Sequence, residues 1–204
     1  MKVLVTAGPT REYIDSVRFI TNASSGKMGC AVASAAGSAG HQVTLLLAAG
    51  IDPPGGCDVA RFESVDELDA GLSSRFDECD ALVMAAAVGD FTVSDRADGK
   101  LPRGDMPVTV TLVPTKDVLA GLASRKRPGQ TIVAFAVEDG AQADIEARAR
   151  SKLSAKKADY IVVNTPQAIS AESSRACILS PDGVIVPWAE RTKTQLAQEI
   201  VGLL

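Results

Sequence analysis

The chain has 204 residues, 46% of them apolar and 23% charged, with a net charge of −4 at pH 7 and an isoelectric point near 5.1. That length supports one well-buried core or at most two small lobes. The acidic balance argues against a general nucleic-acid binder, which needs a basic excess to neutralise phosphates, and no stretch approaches the roughly 20 apolar residues of a membrane span.

The first segment, "KVLVTAG", predicts a strand and enters directly, without the charged leader of a signal peptide. A polar loop, "PTREYID", follows, and "GCAVASAAGSAG" predicts a helix of small residues. "HQVTLLLA" predicts a second strand, and a loop containing Pro53, Pro54, Gly55 and Gly56 leads to a short third one, "VARFES". Ser64 and Glu67 have the S-x-x-E form of a capping box opening the helix "VDELDAGLSSRF". "ALVMAAAV" is wholly apolar, as expected of a parallel strand buried on both faces. Residues 89–106, rich in Gly, Asp and Arg, predict a long loop. After them come "VTVTLV", the helix "KDVLAGLASRK", the strand "TIVAFAV", the helix "QADIEARARSKLSAKKA" and the strand "YIVVN". "ACILSPDGVIVPW" predicts a hairpin turning at Pro181–Gly183, and an amphipathic helix starts at about Thr192.

Strands alternating with helical segments imply βαβ units. The expectation is one α/β domain over residues 1–204: a Rossmann-like, doubly wound, mostly parallel sheet with a C-terminal hairpin and helix. Cys30, Cys57, Cys79 and Cys177 are widely spaced, with no C-x-x-C pair, so reduced and mostly buried thiols in a cytoplasmic protein are expected.

In such folds ligands bind where loops leave the carboxyl ends of strands, which here means residues 8–29, 86–106, 136–142 and 164–174. The first region holds "ASSGKMG". It is not a phosphate-binding P-loop, because Met28 stands where Ser or Thr must coordinate magnesium and Thr21 where the first glycine belongs. Nor is it a complete G-x-G-x-x-G, since position 24 is Ser. Spacing leaves two readings open, an anion site at a helix N-terminus and a plain structural turn. The small helix behind it favours the former, because Ala and Gly allow close docking on the sheet.

"VTAGPTRE…SVRFITNASSGKMG" resembles the opening of the phosphopantothenoylcysteine synthetases, the phosphopantothenate–cysteine ligases of coenzyme A biosynthesis. "AAAVGDF", "VAFAVE", "KLSAKKADYIVVN" and "RTKTQLAQEI" resemble further motifs of that family in the same order, over nearly the whole chain. Many bacterial relatives also carry an N-terminal flavin-dependent decarboxylase domain, which these residues do not include, so the synthetase alone is expected. The resemblance implies a reaction in two steps. The carboxylate of 4′-phosphopantothenate attacks the α-phosphate of a nucleoside triphosphate, and the amine of cysteine then displaces the nucleotide. Because the match is to the bacterial type, it implies CTP as co-substrate, with Mg2+, and a homodimer. "VTVTLV" with residues 89–106 is the expected interface. No metal ligands are identified, and no nucleic acid or membrane partner is expected. The chemistry needs no covalent nucleophile, which suits a chain whose only histidine is His41.

By resemblance, Asn22 donates to the acyl carbonyl in the second step, against a bland reading as an Asx turn capping the next helix. Ser24, Ser25 and Gly26 become the phosphate cradle, and Lys27 is equally a solvated neighbour or a direct contact. Lys100, ten residues after Asp90, matches the family's flap lysine, although such a charge is usually a solvated loop tip. The flap departs from the family pattern right after it, with "KLPR" where Lys-Ile-Lys-Lys is usual, so Pro102 stiffens it. Ala86, Asp90 and Phe135 match nucleotide-lining positions of the family, while alone Asp90 reads as a helix cap or turn former and Phe135 as core packing. Lys152 and Lys156 share a helix face and match two nucleotide-binding lysines, against a plain solvated face. Arg11 and Arg18 are candidates by charge for the substrate phosphate.

Two other classes compete: a non-catalytic nucleotide-binding Rossmann module, and a short NAD(P)-dependent reductase. Tyr13 and Tyr160 lack the lysine four residues on that a reductase needs, and "HQVTLLLAAG" ends without a ribose-binding acid. A pure binding module has no need of both Asn22 and Lys100.

Overall fold

A computed structural model describes all 204 residues. The chain opens with β1 (Lys2–Ala7), in which Val3, Val5 and Ala7 pack on one face and Leu4 on the other, so both faces are buried. β2 (Arg11–Tyr13), β3 (Phe19–Thr21), α1 (Lys27–Ser38), β4 (Gln42–Ala48) and β5 (Asp58–Phe62) follow. Next come α2 (Val65–Ser73), a 3₁₀ turn at Phe76–Glu78, β6 (Ala81–Met84), β7 (Phe91–Val93), β8 (Leu112–Pro114) and α3 (Val118–Ala123). The last part holds β9 (Thr131–Val137), α4 (Gln142–Ala155), β10 (Tyr160–Asn164), a 3₁₀ turn at Pro166–Ala168, β11 (Ser173–Ser180), β12 (Gly183–Thr192) and α5 (Lys193–Val201).

Eight strands form one sheet in the order β12-β11-β10-β9-β6-β1-β4-β5. The six strands from β10 to β5 are parallel, and β11 and β12 add the expected antiparallel hairpin at one edge. From β1 the chain first builds outward through β4 and β5, then returns to place β6 on the other side of β1. This reversal opens a crevice at the carboxyl ends of β1 and β6, the usual ligand position in doubly wound sheets. A core of 26 residues under α2, α3 and α4 fills one face, and one of 17 residues under α1 and α5 fills the other. The expected single α/β domain is observed.

Four local expectations are corrected. "PTREYID" is not simply loop, because Arg11–Tyr13 pairs antiparallel with Phe19–Thr21. The strand "ALVMAAAV" stops at Met84, where Ala86 N turns to the Thr6 side chain instead of a ladder partner. The loop 89–106 contains β7, which pairs with β8 in a ribbon outside the main sheet, and only Leu112–Pro114 of the "VTVTLV" region is strand. The capping box at Ser64 is half formed: Ser64 Oγ accepts from Glu67 N, but the Glu67 carboxylate accepts from Glu63 N. A complete box instead opens α5, between Thr192 and Gln195.

Candidate functional site

Three glycines bring the first loop against the sheet. Gly8 and Gly26 have φ of 93° and 75°, the left-handed region that favours glycine, and a Cβ on Gly26 would stand 3.3 Å from Gly8 Cα, so the two backbones pack directly together. A Cβ on Gly29 would stand 2.5 Å from both Ala7 Cβ and Thr6 O, so α1 docks on β1 more closely than any side chain permits. The N-terminus of α1 therefore opens into the crevice with no side-chain cap, leaving its first N–H groups free to meet an anion.

The crevice is a cleft of about 540 Å³. Asn22, Ser24, Gly26, Ala86, Asp90, Phe135, Lys152 and Lys156 all line it, so eight of the nine site residues expected from the sequence meet in one place. Lys100 does not. It sits exposed on the 99–104 loop, where Leu101 N donates to Asp15 Oδ2 at 3.1 Å and Leu101 O accepts from Arg18 Nη2 at 2.8 Å. Asp15 and Arg18, at the tip of the β2–β3 hairpin, are themselves ion-paired and latch this loop outside the cleft. Arg18 holds the Asp15 carboxyl far below the usual carboxylate range, aided by backbone N–H groups.

Each remaining cleft group has a defined set of partners. Asn22 Nδ2 donates to Ala87 O at 3.2 Å and Val88 O at 3.1 Å, clamping the first loop to the segment after β6. Gly89 N donates to Thr10 Oγ1 and Thr115 Oγ1 donates to Gly89 O, which fixes the backbone beside Asp90. Lys152 pairs with Glu138 Oε1 at 2.6 Å, and Arg148 pairs with Glu138 Oε2 at 2.6 Å. Burial alone would raise the Glu138 carboxyl, but these two cations bring it below its ordinary value, so it stays ionised. Lys156 stands 3.6 Å from Asp117, which also caps α3 through Ala120 N. Lys27 is ion-paired with Glu172 at the rim.

Three cleft residues had no role from the sequence. Asn164 ends β10 in a buried position, and its Oδ1 has no donor. Lys193 is the first residue of α5 and is buried at the cleft wall. Ser170 bonds Ala23 O and joins this wall to the first loop. Asn164 and Lys193 lie within stretches that resemble family motifs, but neither was given a role, and Ser170 lies outside those motifs, because their places in the cleft are set by the tertiary fold. The four cysteines are free, with Cys79 and Cys177 buried and Cys30 and Cys57 only partly so. Burial raises all four thiols, Cys177 to about 12, so none serves as a nucleophile at neutral pH. The cleft can grip and polarise an anionic ligand, and nothing in it forms a nucleophile–base pair.

Residues 1–204 match the family model of the DNA/pantothenate metabolism flavoprotein C-terminal domain. The Coenzyme A biosynthesis bifunctional protein CoaBC of Mycobacterium tuberculosis is 41% identical over 212 residues, covering 98% of this chain and 51% of that protein. The chain thus spans about half the length of the curated relatives it matches. A crystal structure of the C-terminal domain of CoaBC is 30% identical, with a TM-score of 0.81, covering 99% of this chain and 92% of that one. A Cab2 variant solved in complex with phosphopantothenate-cysteine shares the fold at 18% identity and a TM-score of 0.83, over 99% of this chain and 85% of that one.

Proposed function

The chain belongs to the family of DNA/pantothenate metabolism flavoprotein C-terminal domains, and from that premise we propose that it is a phosphopantothenate–cysteine ligase acting in coenzyme A biosynthesis. The observation that carries the proposal is the convergence, at the switch point of the sheet, of an uncapped helix N-terminus, Asn22 and a row of lysines. In the first step a carboxylate oxygen of 4′-phosphopantothenate bonds to the α-phosphorus of CTP, and the bond to the β,γ-phosphates breaks. In the second, the cysteine amine forms the amide, CMP leaves, and the amine gives up a proton.

The chain's own groups divide between these steps. Ser24, Gly26 and the start of α1 cradle phosphates, while Ala86, Asp90, Phe135, Lys152 and Lys156 line the nucleotide. Lys100 acts once its loop leaves the Asp15–Arg18 latch and swings over the triphosphate, which also excludes water from the acyl phosphate. Asn22 stabilises the developing oxyanion, and to do so it must exchange one of its two carbonyl acceptors for the acyl oxygen. No cluster of three or more His, Cys, Asp or Glu suited to a metal ion is present, so the chain offers no all-protein cage for magnesium. Magnesium would enter as the counter-ion of the triphosphate.

The same proposal includes a homodimer joined through the β7–β8 ribbon, supported by the exposed apolar residues Phe91, Met106, Val108, Leu112 and Val113. Free cysteines fit a reducing, cytoplasmic setting. The deciding measurement is pyrophosphate release with phosphopantothenate and cysteine in the presence of CTP, ATP or NADPH. Acid-dependent release with CTP alone supports the proposal; nucleotide binding without any release leaves a non-catalytic module.

A further inference from the structure

Lys193 is 8% exposed, and it makes no ion pair. Its ammonium donates to Ala168 O at 3.1 Å and to Ser174 Oγ at 3.4 Å. An ammonium has three protons, so one remains without an acceptor in a group that lines the cleft. Burying a cation without a counter-ion is unfavourable. Burial and the nearby Lys27 draw its proton affinity down, and Glu172 and Glu190 only partly restore it. Neither carboxylate is at its disposal, since Glu172 is held by Lys27 and Glu190 accepts from Ser173 Oγ.

The surroundings repeat the same incompleteness. Asn164, also 8% exposed and lining the same cleft, has an amide oxygen with no donor. The uncapped N-terminus of α1, with Lys27 as its first residue, lines the same cleft. Lys27 and Glu172 form an exposed pair, with side chains 44% and 82% accessible, and such pairs contribute little and exchange readily. The other two cleft lysines differ, because Lys152 and Lys156 already carry Glu138 and Asp117. The anion with most to gain therefore belongs against Lys193 and Lys27.

Resting on the ligase reading above, we propose that Lys193 and Lys27 hold the β- and γ-phosphates of the nucleoside triphosphate, the pyrophosphate that leaves in the first step. Lys193 supplies a fixed charge on the leaving group's oxygens. Lys27 is recruited from Glu172 as the anion arrives. When the α–β bridging bond breaks, its electron pair passes to the pyrophosphate, where these two cations receive it.

The test uses the full chain, with calorimetric binding of CTP, CMP and inorganic pyrophosphate to the wild type, Lys193→Met and Glu172→Gln. Lys193→Met is expected to weaken CTP and pyrophosphate about 10- to 100-fold, the loss of one charge-assisted bond, and to leave CMP unchanged. Equal weakening of CMP, or no change with CTP, overturns the proposal. Should Lys193→Met fail to fold, Glu172→Gln decides, since freeing Lys27 must tighten CTP several-fold without affecting CMP, and unchanged CTP affinity overturns the assignment. A wild type that binds CTP but releases no pyrophosphate defeats the ligase reading and leaves the phosphate assignment to be judged by these affinities.

Discussion

Asn22 is held by two carbonyl oxygens, those of Ala87 and Val88, so its replacement has a structural as well as a chemical consequence. In Asn22→Asp a carboxylate faces both acceptors, and urea unfolding should show a loss of about 0.5–1.5 kcal/mol, the net worth of an ordinary hydrogen bond at a solvent-accessible site. Under the proposed division of roles, this variant still forms the acyl nucleotide but passes it to cysteine about 100- to 1,000-fold more slowly. Lys100→Gln should stop before the intermediate forms. Rapid quench with labelled CTP separates the two, and failure of both variants at the first step would move Asn22 into the phosphate cradle. Asp15 makes a pH prediction at the same scale. Its carboxyl is held below the ordinary range by Arg18, so on acidification the unfolded chain takes up the proton first. The stabilisation is therefore present above about pH 4, the unfolded carboxylate value, and is lost as pH falls below it. Acid unfolding should be steeper in the wild type than in Asp15→Asn.

Among the elements, α1 and β1 are fitted most tightly. A methyl group at position 29 would meet the backbone of Thr6 and Ala7 as well as a side chain, so nothing flexible can yield. Gly29→Ala should cost at least about 1–3 kcal/mol, the range for overpacking, and it should also weaken CTP by pushing the α1 N-terminus out of register. Melting temperature and CTP affinity measured together check this, and a stable variant of normal affinity would show that α1 has room to shift. The 99–104 loop is the opposite case. It is tied mainly by the two Leu101 backbone bonds to Asp15 and Arg18. Amide exchange there should accelerate in Asp15→Asn while exchange in β1 and β9 does not change. If the loop stays equally protected, the latch does not hold it.

At the scale of the molecule, the central strands β1, β6 and β10 of the main sheet are closed to solvent on both faces, but the β7–β8 ribbon is not. Met106 and Val108 are 80% and 66% exposed, beside Phe91, Leu112 and Val113. Exposed apolar residues gathered in one segment of the chain mark candidate interaction sites, and an isologous pairing of two copies would cover them. If the proposed homodimer forms through this surface, sedimentation should give a dimer for the wild type and a monomer for the Val108→Lys, Leu112→Lys double variant. The ribbon follows Asp90 directly, and Asp90 O accepts from Thr115 N at 3.0 Å. Loss of the dimer should therefore also lower nucleotide affinity.

Much of this protein is written in contiguous residues. Apolar runs such as "TIVAFAV" and "YIVVN" define their strands, Thr6–Gly8 and Gly26–Gly29 define a close-packed turn and helix start, and the Asn-Ala-Ser-Ser-Gly segment marks the cleft and the family. These signals are local: backbone conformation and strand burial depend on neighbours a few positions apart. The short ribbon was less legible because it has no core of its own to impose a pattern. The charge arrangement of the cleft was decided only by the tertiary structure. Lys27 meets Glu172 145 positions away, and Asn22 meets the carbonyls of residues 65 and 66 positions away. Lys193, one more basic residue in a terminal helix, becomes a buried cation because β11 and the 166–168 turn close over it. A lysine's charge is a property of the residue, but whether that charge is solvated, paired or left for a ligand depends on what the fold brings beside it.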